Sequence, residues 1–541
     1  MSLDWTAHLV AVPVVLPLLC GALLAPLTQG RHDLKFGLAY GSVLAQLATA
    51  LALGALADGG RPGGIGVYFG ANWAAPFGIT LVADRLAAAM LLLTAVLALA
   101  ALHYARPRWS RIGVHFHSLF QFLLMGINGA FLTHDLFNLF VFFEVMLAAS
   151  YGLVLHGYNA VRLRASLHYI AINLAASLLF LIGVALIYAT VGTLNMADLA
   201  ARIDAVDAGR IGLLHTGLAV LALAFLVKGA MWPLGFWLPT TYAAASPPVA
   251  VMLVLMTKVG AYAVLRVWLL VFPDSARFGY EALLWGGMAS IVFGAAGMLA
   301  TDTAGRLAGY AAIVSSGTLL AVIGYGQASL VTAGLYYFFA STLALAAFVL
   351  LIELVDRIRT PGAAMLALTA EAYAVEDAPA EPKGTGVPAA MAFLSLAFMA
   401  CALIIAGLPP LSGFVAKFGM FHAVLNPGPG APGIGAAGWT LMALVFGSSL
   451  IAIVSLMRFG VRTFWATEAI GPPRLHASEV IPVAALLLAS VALTLQARPV
   501  LDYLARASGE LHRPALYIER VLGTPALPGP ASSAHRPGEA P

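Results

Sequence analysis

The chain has 541 residues, of which 61% are hydrophobic and only 10% are charged. Soluble globular proteins carry about 25% charged residues, so this composition excludes a soluble protein and indicates one that is embedded in a lipid bilayer. The net charge of +4 is small and spread over connecting segments, which argues against a nucleic-acid partner.

Apolar windows of roughly twenty residues, the length that crosses the hydrocarbon core of a bilayer, recur along nearly the whole chain. We therefore predict an all-α polytopic membrane protein with fourteen transmembrane helices. In chain order these predicted helices span residues 8–28, 36–57, 78–103, 113–133, 136–157, 164–192, 213–240, 247–270, 280–300, 306–326, 329–353, 390–424, 437–459 and 478–498.

Three connections are long enough to hold structure of their own. The Gly-rich segment 58–77 predicts a hairpin or capped loop, 193–212 a short surface helix, and the Ala-, Pro- and Glu-rich segment 354–389 an aqueous loop. The polar tail 499–541 is expected to be disordered from about residue 521. Fourteen of the eighteen Lys and Arg residues in the connections lie on one side, which predicts that both termini face outside.

The seventh and twelfth predicted helices contain clusters of Gly and Pro, in segments 223–239 and 407–421. Proline removes a backbone donor and leaves a carbonyl without its partner. Such a break is tolerated within a membrane where it lines an enclosed cavity, and there it can hold ions. Both helices are therefore predicted to be broken.

Four charged residues lie inside apolar stretches: Glu144, Lys228, Lys258 and Lys417. A charge at the centre of a membrane span costs at least about 2.5–3.5 kcal/mol on insertion scales. A buried Lys can lose its proton, whereas Arg stays protonated, so lysines at these positions favour a proton pathway. A fixed Glu144–Lys228 pair that locks two helices is the structural alternative. The two further lysines, which have no acid in their own spans, favour the pathway.

Other polar residues could extend such a pathway. His168 lies inside a span, His422 follows Lys417 by five residues, and Asp135 precedes the helix that carries Glu144. No Cys cluster, haem-ligand pair or nucleotide motif occurs, so no cofactor is expected. The sequence does not decide whether a metal ion binds.

Several stretches resemble the antiporter-like subunits shared by respiratory complex I and the multisubunit Mrp cation/proton antiporters, most closely the D-type subunits of the latter. The similar stretches are residues 135–153, 226–266, 306–317 and 407–421. The resemblance implies two inverted five-helix repeats, helices 4–8 and 9–13, in which helices 7 and 12 are broken. The corresponding divisions are 1–103, 113–270, 280–459, the last helix 478–498 and the tail 499–541.

The resemblance also implies roles for individual residues. Glu144 and Lys228 would form a switching pair, and Lys258 would pass protons toward Lys417. Members of this family commonly carry a His on the eleventh helix, where this chain has Ala340. Water held by hydroxyl groups would then have to bridge the gap. The candidate hydroxyls are those of Tyr310, Ser341 and Thr342.

These observations together predict a secondary-transporter subunit rather than an enzyme. It would sit in the bacterial inner (plasma) membrane, move protons in exchange for a monovalent cation, expected to be Na⁺, and assemble with other membrane subunits, including a larger antiporter-like one. The alternatives are a proton-pumping subunit of a complex I-type oxidoreductase or membrane-bound hydrogenase, and an assembly scaffold with inert buried pairs.

Overall fold

A computed structural model describes residues 8–28, 30–59, 65–157, 159–271, 277–356, 389–427, 434–465 and 475–525. Within these ranges the chain forms nineteen α-helices and one two-stranded hairpin. The helices up to the first break are α1 (Val12–Leu24), α2 (His32–Gly59), α3 (Arg85–Ala105), α4 (Phe116–Leu132), α5 (Leu136–Val154), α6 (Ala160–Val191), the short α7 (Met196–Arg202) and α8 (Ile211–Lys228).

The remaining helices follow the same pattern of long spans and short halves. They are α9 (Leu238–Ala244), α10 (Pro247–Leu270), α11 (Arg277–Ala300), α12 (Ala304–Tyr325), α13 (Ala328–Asp356), α14 (Ala389–Ala406), α15 (Ser412–Leu425), α16 (Ala436–Gly460), α17 (Ala477–Leu495), α18 (Ala497–Leu511) and α19 (Pro514–Gly523).

The described residues contain 12 helices that are long and apolar enough to cross a membrane. The shorter apolar helices are α1, α4 and α15. Because α14 and α15 are the two halves of one predicted span, α1 and α4 bring the set to the fourteen that were predicted. The prediction of an all-α polytopic membrane protein is confirmed.

The start of the third helix was predicted wrongly. Residues from 78 onward were assigned to a helix, but Thr80–Ala83 is a strand (β2) that pairs antiparallel with Gly66–Phe69 (β1). The short run Thr-Leu-Val-Ala is apolar and fits either structure, and pairing with β1 decides for the strand. Helix α3 begins only at Arg85, where the Asp84 carboxylate accepts a hydrogen bond from the Ala87 amide at 2.8 Å.

Both predicted helix breaks are confirmed. The seventh span stops at Lys228 and resumes as α9 at Leu238, and the twelfth stops at Ala406 and resumes as α15 at Ser412. In the expected division into two repeats, each break falls in the fourth span of its five-helix set.

Helix α10 forms the centre of the molecule. It packs against α3, α4, α8, α12 and α13, and its membrane-spanning window is 100% buried. The approach to the first break is close, because a Cβ at Gly260 of α10 would lie only 2.7 Å from the Gly229 amide nitrogen. Any side chain at position 260 would therefore push α10 away from the end of α8.

The sequence did not predict the helices in the C-terminal tail, and the disorder expected from about residue 521 falls almost entirely outside the described residues. Residues 497–523 form α18 and α19, and α18 buries Leu504, Ala507 and Leu511 along one face, the spacing of an amphipathic helix. Helix α18 packs against α3 and α13, and α19 packs against α7. The tail beyond residue 525 and most of the predicted loop 354–389 lie outside the described residues. The short helix predicted within 193–212 is α7.

Candidate proton-transfer site

Lys228 is the last residue of α8 and lies directly at the first break. Its side chain is 4% exposed, and its Nζ donates a hydrogen bond of 3.4 Å to the Ser177 hydroxyl on α6. The same Nζ lies 5.0 Å from the centroid of the Phe143 ring on α5. A cation over an aromatic face is attracted by about 2 kcal/mol or more when it is desolvated. The charged ammonium is therefore held by a hydroxyl and a ring.

Glu144 is adjacent to Phe143 on α5, near enough to Lys228 to act on it electrostatically. The two side chains do not form an ion pair, and within the described residues the buried Oε1 of Glu144 has no hydrogen-bond partner. Leaving a buried acceptor unpaired costs about 1–3 kcal/mol, and more for a charged group. The expected pair is thus brought to the same region but is not in contact.

Lys258 lies in the middle of α10 and is 0% exposed. Its Nζ donates to the Ser315 hydroxyl on α12, and Ser315 in turn donates to the Ser341 hydroxyl on α13 at 2.9 Å. Ser341 was predicted as a relay residue, and the structure places it in this chain of hydroxyls. A serine hydroxyl can both donate and accept, so this chain can pass a proton in either direction.

A second pair of hydroxyls lies at the residue that precedes Lys258 in the chain. The neighbouring Thr257 hydroxyl lies 3.5 Å from the Tyr242 hydroxyl. Tyr242 lines a cavity of about 660 Å³ that also contains Arg162, Glu353 and Asp356. The Thr257–Tyr242 pair therefore reaches a cavity that is lined with charged groups, but no hydrogen bond joins this pair to Lys258 within the described residues.

Lys417 lies in α15, just after the second break, and is 7% exposed. Its Nζ donates to the carbonyl oxygens of Ile405 and Ala406 at 3.2 and 2.9 Å, and to the Ser449 hydroxyl at 2.8 Å. The two carbonyls belong to the last turn of α14, where they lack partners within the helix. The break therefore supplies the acceptors for this lysine.

Several predicted relay residues do not join the lysines. The Thr342 hydroxyl donates to the Phe338 carbonyl of its own helix at 2.6 Å, and the Tyr310 ring packs edge-on against Phe293 of α11. His168 and His422 are exposed side chains on the outside of the bundle. None of the four forms a hydrogen bond with Lys258 or Lys417 within the described residues, so their part in a relay stays a prediction.

Asp135 has a structural position that the sequence indicated. It caps the first turn of α5, where its carboxylate accepts a hydrogen bond of 2.8 Å from the Asn138 amide, and burial raises the pKa of this carboxyl. No group of three or more potential metal-ligating residues occurs in the part of the chain that the structure describes.

One buried ion pair was missed by sequence reasoning. The Arg266 guanidinium, on α10, donates to both carboxylate oxygens of Asp84 and to the Tyr262 hydroxyl. Burial disfavours the ionised carboxyl of Asp84, but the Arg266 guanidinium beside it holds its pKa below the ordinary value. The signal was the spacing of Lys258, Tyr262 and Arg266, which places three polar groups on one face of α10.

The fold and the buried lysines define a class: a polytopic membrane protein in which titratable amines lie at helix breaks and in hydroxyl chains. The sequence profile described as "NADH:quinone oxidoreductase/Mrp antiporter, TM" matches residues 133–436. The D-type subunit of a probable K⁺/H⁺ antiporter from Rhizobium meliloti is 50% identical over 532 residues, which cover 96% of this chain and 99% of the relative.

Two further comparisons agree over nearly the full length. The D-type subunit of the Na⁺/H⁺ antiporter from Bacillus subtilis is 33% identical over 95% of this chain and 99% of the relative. A chain in the structure of the Mrp complex from Dietzia sp. has a TM-score of 0.82 at 27% identity, covering 96% of this chain and 100% of that one. The chain therefore belongs to the NADH:quinone oxidoreductase/Mrp antiporter family and, within it, to the D-type subunits of the Mrp antiporters. It is one membrane component of a multisubunit assembly.

Proposed function

We propose that this subunit carries protons through the membrane along Glu144, Lys228, Lys258 and Lys417, in exchange for a monovalent cation that the assembly moves the other way. The observation that carries the proposal is the environment of Lys258. It is an amine with no exposed surface, bonded to a hydroxyl that bonds to a second hydroxyl. Such a position holds a proton without fixing it in an ion pair.

The first half of the route supplies the switch. Two unit charges about 4 Å apart attract by about 4 kcal/mol at an effective dielectric constant of 20. Contact with Glu144 would therefore stabilise the protonated amine of Lys228, and separation would remove that stabilisation. The side chains of Glu144 and Lys228 lie in the same region without contact. The Oε1 of Glu144 has no hydrogen-bond partner within the described residues, so it can accept a hydrogen bond from Lys228.

The second half supplies the terminal site. Lys417 is held by two carbonyl oxygens and a hydroxyl, all neutral acceptors. A neutral cage supports the charged amine by hydrogen bonds alone, so the proton can leave without an anion remaining behind. The step from Ser341 to Lys417 would require water or a side-chain movement, because Ala340 offers no polar group there.

The exchanged cation is K⁺ or Na⁺. Sequence reasoning favoured Na⁺, but the relative at 50% identity is described as part of a K⁺/H⁺ antiporter and the one at 33% as part of a Na⁺/H⁺ antiporter. Both relatives are antiporter components over their full length, which favours the antiporter over the redox-driven pump. We place the assembly in the bacterial plasma membrane with both termini of this chain outside, following the Lys and Arg distribution in the connections.

The test is cation-dependent proton flux in everted vesicles from antiporter-null cells that express the complete set of subunits. We expect Glu144→Ala and Lys228→Ala each to abolish exchange with both K⁺ and Na⁺ while the complex still assembles. Glu281→Ala, which removes an exposed carboxylate at the start of α11, serves as the matched control. Wild-type exchange in both site variants would contradict the proposal, and transport retained after neutralising all four residues would favour the scaffold.

A further inference from the structure

A second polar site lies at the end of α10, away from the lysines. A cavity of about 570 Å³ is enclosed there between the end of α10 and helices α18 and α19. Its polar lining includes Asp84, Arg266, Glu510, Tyr517 and Arg520. At about 30 Å³ per molecule, a space of this size has room for several waters beside its polar side chains, although most of its lining is apolar.

Three groups that line this cavity have hydrogen-bonding capacity that is not used, and one of them is the Arg520 Nε, which has no partner within the described residues. The Oε1 of Glu510, on α18, accepts from the Arg85 guanidinium, but its buried Oε2 has no partner within the described residues. The Tyr517 side chain is 4% exposed and its hydroxyl likewise lacks a partner within those residues. The Glu510 carboxylate therefore has one oxygen that the contact with Arg85 does not use.

We propose that Glu510 is a proton-exchange site, at which the route through α10 takes up or releases protons on the side of the C-terminal helices. The inference rests on the proposed function, since it adds a port to the same route. In the step itself, the carboxylate of Glu510, whose side chain is 22% exposed, takes a proton from cavity water and later returns it to water. Arg85 stays charged throughout, so the charge of the site changes by one unit.

The surroundings of Glu510 fit this role. Burial, together with the nearby Asp84 carboxylate, raises the pKa of Glu510 to about 7, against the opposing effect of Arg85. A carboxyl that titrates near neutral pH can load and unload a proton under cellular conditions. The lining arginines, Arg266 and Arg520, disfavour the alternative that this cavity binds a metal cation.

The site connects with the central helix. Arg266 links Asp84 to the Tyr262 hydroxyl, and Lys258 lies one further turn along the same face of α10. Lys258 and Arg266 are separated by about 12 Å along the helix axis at 1.5 Å per residue. The cavity is therefore the polar space at the α18 end of the helix that carries the central lysine.

Other charged and titratable groups surround Glu510 and would modulate it. On α18 and just after it these are Tyr503, Arg506 and His512, and Asp58 at the end of α2 pairs with both Arg85 and Arg506. Helix α19 contributes Glu519 in addition to Tyr517 and Arg520. His134, which follows the end of α4, lies near Asp84 and Tyr517.

The test is the pH dependence of exchange by the assembled complex. In Glu510→Gln the amide keeps an acceptor for Arg85 but cannot titrate. We expect a loss of about 10²-fold, the lower end for a positioned proton-transfer group, together with loss of the transition that Glu510 gives the wild type near pH 7. Asp502→Asn, an exposed carboxylate on the same helix, should keep the wild-type rate and pH profile. A Glu510→Gln complex with the wild-type pH profile overturns the proposal.

Two further variants make each outcome decisive. If Glu510→Gln does not assemble, Glu510→Asp is the alternative, because it retains a carboxyl but withdraws it from Arg85. The midpoint of the pH dependence of exchange should then differ from that of the wild type. An unchanged midpoint overturns the assignment. Lys258→Met separates the two proposals. If it leaves exchange intact, the lysine route is wrong, whereas if it abolishes exchange while Glu510→Gln has no effect, only the port is wrong.

Discussion

The two halves of the bundle place a lysine beside a broken helix in different ways. Lys228 precedes its break and lies near a carboxylate and an aromatic ring, whereas Lys417 follows its break and is bonded to carbonyls and a hydroxyl. A buried amine at a helix break therefore occurs in both halves, but among the described residues it has a charged neighbour only in the first half. This difference is the reason why the proposed function assigns the switch to the first half and the terminal site to the second.

The largest effect should come from Lys258, which joins the two halves. Arginine keeps the positive charge but does not release its proton, so we expect Lys258→Arg to reduce exchange by about 10²-fold or more. Lys258→Met, similar in length but uncharged, should be equally inactive. Exchange is measured in everted vesicles and assembly by isolating the complex. An active Lys258→Arg variant would show that this position needs only a positive charge. Lys258 would then not pass protons between the two halves.

The next largest effect tests the second break. Gly407 has φ of +78°, and a Cβ there would approach the Lys417 Cδ to 2.6 Å. Gly407→Ala combines a left-handed strain of about 1–2 kcal/mol with displacement of the lysine, so we expect exchange to fall about tenfold.

Gly447→Ala is the matched control for this substitution. It adds a Cβ on α16 with nothing within 4 Å and should leave exchange unchanged. If Gly407→Ala exchanges like Gly447→Ala, the position of Lys417 at the break does not matter for transport.

The smallest effect concerns the hydroxyl chain. Ser315→Ala removes the acceptor of Lys258 and the donor to Ser341, and we expect a three- to tenfold loss of exchange, because a typical hydrogen bond contributes about 0.5–1.5 kcal/mol net. Thr342→Ala removes a hydroxyl that bonds only to its own helix and should exchange at the wild-type rate. Equal rates in the two variants would mean that hydroxyls near Lys258 are interchangeable and do not form a path.

The surroundings of Ala340 bear on whether a larger side chain fits at this position. The family resemblance leads us to expect that Ala340→His would be tolerated or would raise transport, because related proteins commonly carry a His on this helix. The residue is 0% exposed, and forcing a larger side chain into a packed interior costs about 1–3 kcal/mol. In this chain Ser341, one residue further on, provides the polar contact on α13.

The sequence by itself determined the spans, the two breaks and the four charged residues, because lipid admits only helices whose backbone is satisfied internally and makes every buried charge conspicuous. It could not tell the strand Thr80–Ala83 from a helix, since four apolar residues carry no decisive period and only pairing with Gly66–Phe69 settles the matter.

Tertiary structure alone decided which polar groups meet. Ser315 meets Ser341 across two helices, His168 faces outward, and Glu510 reaches Arg85 from 425 residues away in the chain. Helical spacing predicts the face on which a side chain lies, but contact between helices depends on their packing and rotation, which no local pattern contains.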